Sequence, residues 1–199
     1  RSLISLIVLL PVARVSLSRV TRLTLLSGIF YAATLTTYVL ANRMTTAANT
    51  ILLQYTAPIY VALLSWWLLG ERVRKRDWGA IVLVLIGVAL LLSGDLGSGG
   101  SVGNMLALAS GVCFSLLLIT LRMQKHAHPL DAIVIGNLIG ALIAIPAYLS
   151  LPSDGISWFA VSALGIVQVA LPYIVYSHAI RVITARSEEH TSELQSLLI

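Results

Sequence analysis

Charged residues are scarce in this sequence, and their scarcity excludes most soluble architectures. Of the 199 residues, 11% are Asp, Glu, Lys or Arg and 58% are hydrophobic. Soluble domains carry about 25% charged residues, so we predict that lipid is the main solvent of this chain. The single cysteine, Cys113, excludes an internal disulfide, and because it lies in an apolar run we interpret it as a small packing residue.

Catalytic and cofactor-binding motifs are also missing. The sequence contains no H-E-x-x-H, G-x-S-x-G, P-loop or dinucleotide-binding pattern. His126 and His128 have too few neighbouring ligand types for a metal site. We therefore predict no enzyme activity, no metal ion and no cofactor.

Long apolar runs take the place of these features and predict an all-α, polytopic membrane helix bundle. Ala47–Leu69 is long enough to cross a bilayer as a helix and carries no charged residue. Trp78–Leu92 is almost wholly apolar and follows after a short basic turn. The remaining predicted spans are Leu23–Ala41, Val102–Leu121, Leu130–Leu149 and Trp158–Ile180, with a half-length segment at Ser2–Val12.

The basic residues alternate between successive loops, which predicts the orientation of the chain. Nine Lys or Arg residues lie in Arg14–Arg22, Arg72–Arg76 and Arg122–Lys125, whereas the intervening loops contain only Arg43. Short loops rich in Lys and Arg stay cytoplasmic. Membrane topology therefore accounts for the net charge of +5, and we predict no nucleic-acid partner.

An internal repeat indicates two related halves. Tyr38–Ala47 and Tyr176–Ala185 share the pattern Y-x-x-A-x-R-x-x-T-A at an offset of 138 residues. The predicted orientation places Arg43 outside and Arg181 inside. The two copies are therefore predicted to be inverted, an arrangement found in many secondary transporters.

Four segments carry a resemblance to a known family. Gln54–Pro58, Leu69–Arg72, Trp78–Ala80 and Gly87 resemble the end of the first repeat of the EamA family in the drug/metabolite transporter superfamily. The resemblance implies an inner-membrane carrier with two inverted five-helix repeats, of which about seven of ten spans are present here, the first only in part. It further implies alternating access, with export of small metabolites or drugs.

The resemblance also implies a division of the chain. We expect residues 1–94 to form the first repeat without its first span, 95–101 a Gly/Ser linker, and 102–185 the second repeat without its last two spans. A non-transporting membrane scaffold or an inactive gene fragment is the alternative. The expected partners are a small-molecule substrate and the lipid bilayer, and a homodimer is compatible with the sequence.

The last residues depart from the predicted repeat. Arg186–Ser196 is polar and acidic where the repeat predicts another membrane span. This segment resembles the conceptual translation of a sequencing-library adapter, so we expect 186–199 to be a non-native tail. The alternative is a soluble cytoplasmic tail.

Polar residues around a proline mark the candidate substrate path. Pro58 lies near the middle of its span and removes a backbone hydrogen bond, so we predict a kink there. Polar residues in a membrane span usually face the bundle interior. One interpretation is that these side chains line a cavity; the other is that they bond neighbouring helices. The substrate-path candidates are Tyr38, Asn49, Gln54, Tyr55, Pro58 and Tyr176.

Small residues recur at helical spacing in two other spans. One face contains Gly103, Ala107 and Gly111, and the other contains Gly136, Gly140 and Ala144. Such faces permit close approach of two helices. We predict a packing role for both.

Overall fold

Helices form all the regular structure in the part of the chain that the structure describes. The structure is a computed structural model that describes residues 2–13, 20–70, 75–92, 100–124, 129–148, 155–172 and 174–175. The all-α prediction is confirmed for these ranges. The helices are α1 (Ser2–Ala13), α2 (Arg22–Met44), α3 (Ala47–Gln54), α4 (Ala57–Leu69), α5 (Lys75–Leu92), α6 (Ser101–Met123), α7 (Pro129–Ile143), α8 (Ile145–Tyr148) and α9 (Gly155–Ala163), followed by a π-helical segment (Leu164–Ala170).

Three of the described stretches are long and apolar enough to cross a membrane. They are Arg22–Met44, Ala47–Leu69 and Ser101–Met123, each of 23 residues. Large apolar side chains stay exposed on these helices, and Trp67 is 78% exposed. In water such surface would be unfavourable, whereas lipid tails are as apolar as these side chains. Shorter apolar helices are Ser2–Ala13, Leu130–Ile143 and Trp158–Val167.

Helix boundaries differ from the predicted spans at two places. The helix α5 begins at Lys75, so Lys75 and Arg76 lie in its first turn rather than in the predicted basic loop. The predicted span Leu130–Leu149 is interrupted at Ala144, between α7 and α8. Pro146 explains this interruption, because it has no N–H to donate to the Leu142 carbonyl four residues earlier.

The chain divides into two compact units. The first comprises Arg1–Leu25 and Gln124–Ile199, and the second comprises Leu26–Met123. These boundaries do not coincide with those of the predicted repeats, whose division of the chain stays a prediction. The second copy of the internal repeat and the tail after Ala185 lie outside the described residues, as does all of the predicted linker except Gly100 and Ser101.

In the unit Leu26–Met123, α6 packs against both α3 and α4. We call this contact the α6 junction. Its small residues permit a very close approach: a Cβ atom added to Gly103 would lie 2.6 Å from the Met44 carbonyl carbon and 2.7 Å from the Thr45 nitrogen. Gly103, Ala107 and Gly111 are buried on one face of α6, as their spacing predicts.

In the other unit, α1 packs against α7 and the π-helical segment. We call this contact the α1 junction. The Ser5 hydroxyl, which is fully buried, donates to the Gly165 carbonyl at 2.9 Å. The approach at Gly140 is looser, since an added Cβ would lie 3.5 Å from Ser2 Oγ, an ordinary van der Waals distance.

Candidate functional site

The membrane-length stretch Ala47–Leu69 is interrupted at Tyr55 and Thr56, immediately before Pro58. Helix α3 ends at Gln54 and α4 begins at Ala57, with Pro58 in its first turn. Because Pro58 has no N–H, the Gln54 carbonyl four residues earlier loses its helical donor. Thr56 adapts to the break by donating its hydroxyl to the Leu53 carbonyl at 2.6 Å. The interruption therefore lies where the proline predicts a kink.

A chain of hydrogen bonds joins this interruption to α6 and then to α2. Gln54 Nε2 donates to Ser110 Oγ at 2.9 Å. Ser110 Oγ donates in turn to the Thr34 carbonyl oxygen at 3.3 Å. Ser110 is fully buried, whereas Gln54 is half-buried. The polar side chain at the end of α3 is therefore held by a buried hydroxyl of another membrane-length helix.

A second serine of α6 contacts the other side of the interruption. Ser115 Oγ lies 2.9 Å from the Ala57 carbonyl oxygen and 2.7 Å from the Gly111 carbonyl oxygen. Between the two serines, a Cβ atom added to Gly111 would lie 3.3 Å from the Gln54 carbonyl oxygen. Glycine at position 111 thus lets α6 approach the carbonyl that Pro58 leaves without its helical donor.

Asn49 has a different environment, near the start of α3. Thr46 caps this helix by accepting a hydrogen bond from the Asn49 backbone N–H at 3.1 Å. The Asn49 side chain is 1% exposed and donates to Thr45 Oγ1 at 3.3 Å. Thr45 Oγ1 donates to Asn104 Oδ1 of α6 at 2.8 Å. For Asn49 the geometry favours helix packing over an open path.

The other predicted path residues differ in exposure. Tyr38 is half-buried on α2, Tyr55 is 61% exposed at the interruption, and Pro58 is exposed. Tyr176 lies outside the described residues. Among the predicted residues, Gln54, Tyr55 and Pro58 share the interruption, and their role in a substrate path stays a prediction.

Sequence reasoning did not single out Ser110, Ser115 or Thr34. A signal for the two serines was present, because they follow Ala107 and Gly111 by three and four residues and therefore share the small-residue face of α6. Thr34 contributes its backbone carbonyl, for which the sequence contains no signal. The site is uncharged, since no Asp, Glu, Lys or Arg lies in Ala47–Leu69. Across the described ranges, no group of three or more His, Cys, Asp or Glu residues could hold a metal ion.

Comparison with known proteins connects these features to a family. Residues 1–93 match the EamA-like transporter family. This part of the chain belongs to that family. The resemblance carried by Gln54–Pro58 and the segments that follow is thereby confirmed. Together with the apolar helices, membership identifies a multi-pass helical membrane protein, related to transporters rather than to enzymes.

Similarity to curated transporters extends beyond the 93 residues that match the family. An uncharacterized transporter of Archaeoglobus fulgidus is 30% identical over 157 residues, which cover 77% of this chain and 56% of the relative. The threonine/homoserine exporter RhtA of Escherichia coli K12 is 30% identical over 129 residues, or 62% of this chain and 42% of the exporter. RhtA of Salmonella typhimurium LT2 is 29% identical over the same shares.

The chain spans about half the length of the curated relatives that it matches. No solved structure matches it.

Proposed function

We propose that this protein is a carrier of the inner membrane that exports small polar metabolites by alternating access. The observation that carries the proposal is the interruption of a charge-free, membrane-length helix at Gln54–Pro58, packed against a second membrane-length helix. Interrupted helices near the membrane midplane form the substrate sites of many secondary transporters. Membership of the EamA-like family over residues 1–93 supports the same proposal.

The proposed substrates are small amino acids and compounds of similar chemistry. Two relatives are named threonine/homoserine exporters. The side chains at the interruption are neutral and polar, with an amide at Gln54 and a phenol hydroxyl at Tyr55. Neutral hydrogen-bonding groups suit zwitterions, whose opposite charges cancel. A strongly anionic solute would instead favour Arg or Lys.

The proposed path runs past the interruption. Gln54, Tyr55 and Pro58 provide its lining at the centre, with Tyr38 and Tyr176 as further lining residues. Tyr55 supports this assignment, because a tyrosine next to a proline break is 61% exposed while Thr56 and Ala57 beside it are buried. Asn49 contributes to this path through the packing of α3.

Efflux measured in vesicles tests the proposal. The protein is reconstituted into vesicles loaded with radiolabelled homoserine, and empty vesicles serve as the blank. We expect homoserine efflux, and we expect Gln54→Ala to lower it about tenfold, corresponding to roughly 1.4 kcal/mol of lost interaction. Ser162→Ala is the control, because Ser162 donates within α9 to the Trp158 carbonyl.

Two outcomes would contradict the proposal. Vesicles that release no solute from a panel of amino acids, amines and organic acids would favour a non-transporting scaffold. Efflux that Gln54→Ala and Ser162→Ala lower equally would place the path elsewhere in the protein. Sidedness, read by protease accessibility of the basic loops, assigns the direction of flux.

A further inference from the structure

The hydrogen bonds around Ser110 have a defined direction. A serine hydroxyl has one proton to donate, and a backbone carbonyl only accepts. Ser110 directs that proton to the Thr34 carbonyl oxygen, 3.3 Å away. The hydroxyl oxygen then has only lone pairs to offer to the Gln54 side chain, 2.9 Å away.

This direction determines which end of the Gln54 amide faces α6. Such orientations follow from the hydrogen-bond network, because an amide offers a donor at one end and an acceptor at the other. Since Ser110 accepts, the Nε2 end faces the serine and the Oε1 end is turned away from it. Among the residues that the structure describes, no hydrogen bond reaches Gln54 Oε1. The half-buried Gln54 therefore presents a carbonyl acceptor at the interruption.

We propose that Ser110 is a positioning residue that fixes the Gln54 amide with Oε1 toward the transport path, so that the carrier selects solutes that bear an ammonium or other N–H donor. This inference rests on the proposed function and specifies its selectivity. An ammonium group donates to Oε1, whereas a carboxylate has no proton to donate. Without the Ser110 hydroxyl the amide can flip and present Nε2, which donates hydrogen bonds to acceptors such as a carboxylate.

Ser115 provides a matched comparison on the same helix. Ser110 and Ser115 are both fully buried, at 0% exposure, and each contacts a backbone carbonyl of another helix. Ser115 differs in that its partners are the carbonyls of Ala57 and Gly111 rather than the Gln54 amide. Loss of either hydroxyl removes a hydrogen bond between two helices. Only loss of the Ser110 hydroxyl also removes the partner of the Gln54 amide.

The experiment compares two solutes that differ by one ammonium group. Vesicles containing the protein are assayed with homoserine and with 4-hydroxybutyrate, which lacks only the α-ammonium group. The ratio of their kcat/KM values is measured for the wild type, Ser110→Ala and Ser115→Ala. We expect the wild type to prefer homoserine, Ser110→Ala to lower the ratio about tenfold through the KM of homoserine, and Ser115→Ala to retain it.

A change at position 54 provides the rescue. In Gln54→Glu the ionised carboxylate has two equivalent acceptor oxygens, so turning the side chain over changes nothing; the assay is run at a pH at which this carboxylate is ionised. The ratio for Gln54→Glu should therefore be the same with and without Ser110→Ala. A packing role of Ser110 alone would lower flux in both backgrounds and leave both ratios unchanged.

The outcomes separate the two proposals. Homoserine flux with equal ratios in the wild type, Ser110→Ala and Ser115→Ala overturns the role of Ser110 and leaves the carrier function standing. Absence of flux of both solutes in the wild type overturns the proposed substrate class and, with it, the selectivity assigned to Gln54. A wild-type preference for 4-hydroxybutyrate overturns the orientation of the amide.

Discussion

At both the α6 junction and the α1 junction, a buried serine bonds to a backbone carbonyl of an irregular helix. Ser115 lies 2.9 Å from the Ala57 carbonyl oxygen beside the proline break, and Ser5 lies 2.9 Å from the Gly165 carbonyl oxygen in the π-helical segment. A backbone carbonyl has two lone pairs and can accept a side-chain hydrogen bond in addition to its helical one. In lipid any such donor must come from the protein itself, and at each junction a serine on a neighbouring helix supplies it.

The α6 junction contains a side-chain amide beside a helix break, and its helices approach each other more closely. Gln54 contributes an amide that reaches Ser110, and Tyr55 beside it is 61% exposed. At the α1 junction the Ser5 hydroxyl contacts a backbone carbonyl, and the approach at Gly140 is an ordinary van der Waals contact. In both junctions the serine joins two helices. Under the proposed function, the Gln54 side chain at the α6 junction is the group that a solute would contact.

The largest expected effect concerns the close approach of α6. Gly103→Ala should lower the free energy of unfolding by about 3 kcal/mol, because the new Cβ would lie 2.6 to 2.7 Å from atoms of Met44 and Thr45. Gly140→Ala at the α1 junction should change it by at most about 0.5 kcal/mol. Reversible unfolding in bicelles measures both, and Gly87→Ala is the control, since its Cβ would meet nothing within 4 Å. Equal decreases in the free energy of unfolding for Gly103→Ala and Gly140→Ala would contradict the closer helix approach at the α6 junction.

The next effect compares two of the prolines in helices, Pro58 and Pro11. Pro58→Ala restores a donor for the Gln54 carbonyl and should straighten α3 and α4 into one helix. We expect homoserine efflux to fall about tenfold, equivalent to roughly 1.4 kcal/mol, while the fold is retained. Pro11→Ala, which changes α1 in the other unit, should leave efflux unchanged. If Pro11→Ala lowered efflux as much as Pro58→Ala, the interruption at Pro58 would have no special role in transport.

The smallest effect concerns the hydrogen bond from a serine to a backbone carbonyl, which both junctions contain. Ser115→Ala and Ser5→Ala should each lower the free energy of unfolding by about 1 kcal/mol, which is typical of a hydrogen bond between membrane helices. The effects should add in the double variant, because the two serines lie in different units. Bicelle unfolding of both single variants and the double variant provides the measurement. If only one of the two variants had a lower free energy of unfolding, the two junctions would not be stabilised by the same kind of hydrogen bond.

Much of the fold could be predicted from local features of the sequence. Scarce charge and long apolar runs predicted membrane helices at Ala47–Leu69 and in α6, and Pro58 predicted the interruption between α3 and α4. The second interruption, at Ala144, was missed although Pro146 lies two residues later. Both interruptions have the same cause, the missing proline N–H, so this omission reflects an overlooked local signal rather than a tertiary effect.

The candidate site could be predicted only in part. Gln54, Tyr55 and Pro58 were identified because polar groups and proline are conspicuous in an apolar span. Asn49 was grouped with them, yet the structure buries it against Thr45. Hydropathy distinguishes polar from apolar residues, but it does not indicate whether a polar side chain bonds a neighbouring helix or stays exposed. That depends on the partner that lies opposite.

The amino-acid sequence alone is sufficient to predict an all-helical, multi-pass membrane protein with a proline-interrupted span and a face of small residues on α6. These properties depend on residue type and on spacing within a single helix. By contrast, the packing of the helices is needed to see that Ser110 accepts from Gln54 and donates to Thr34, since these contacts join residues 56 and 76 positions apart. A hydrogen bond is short and directional, so its existence and direction depend on how three helices pack, which no single segment of sequence contains.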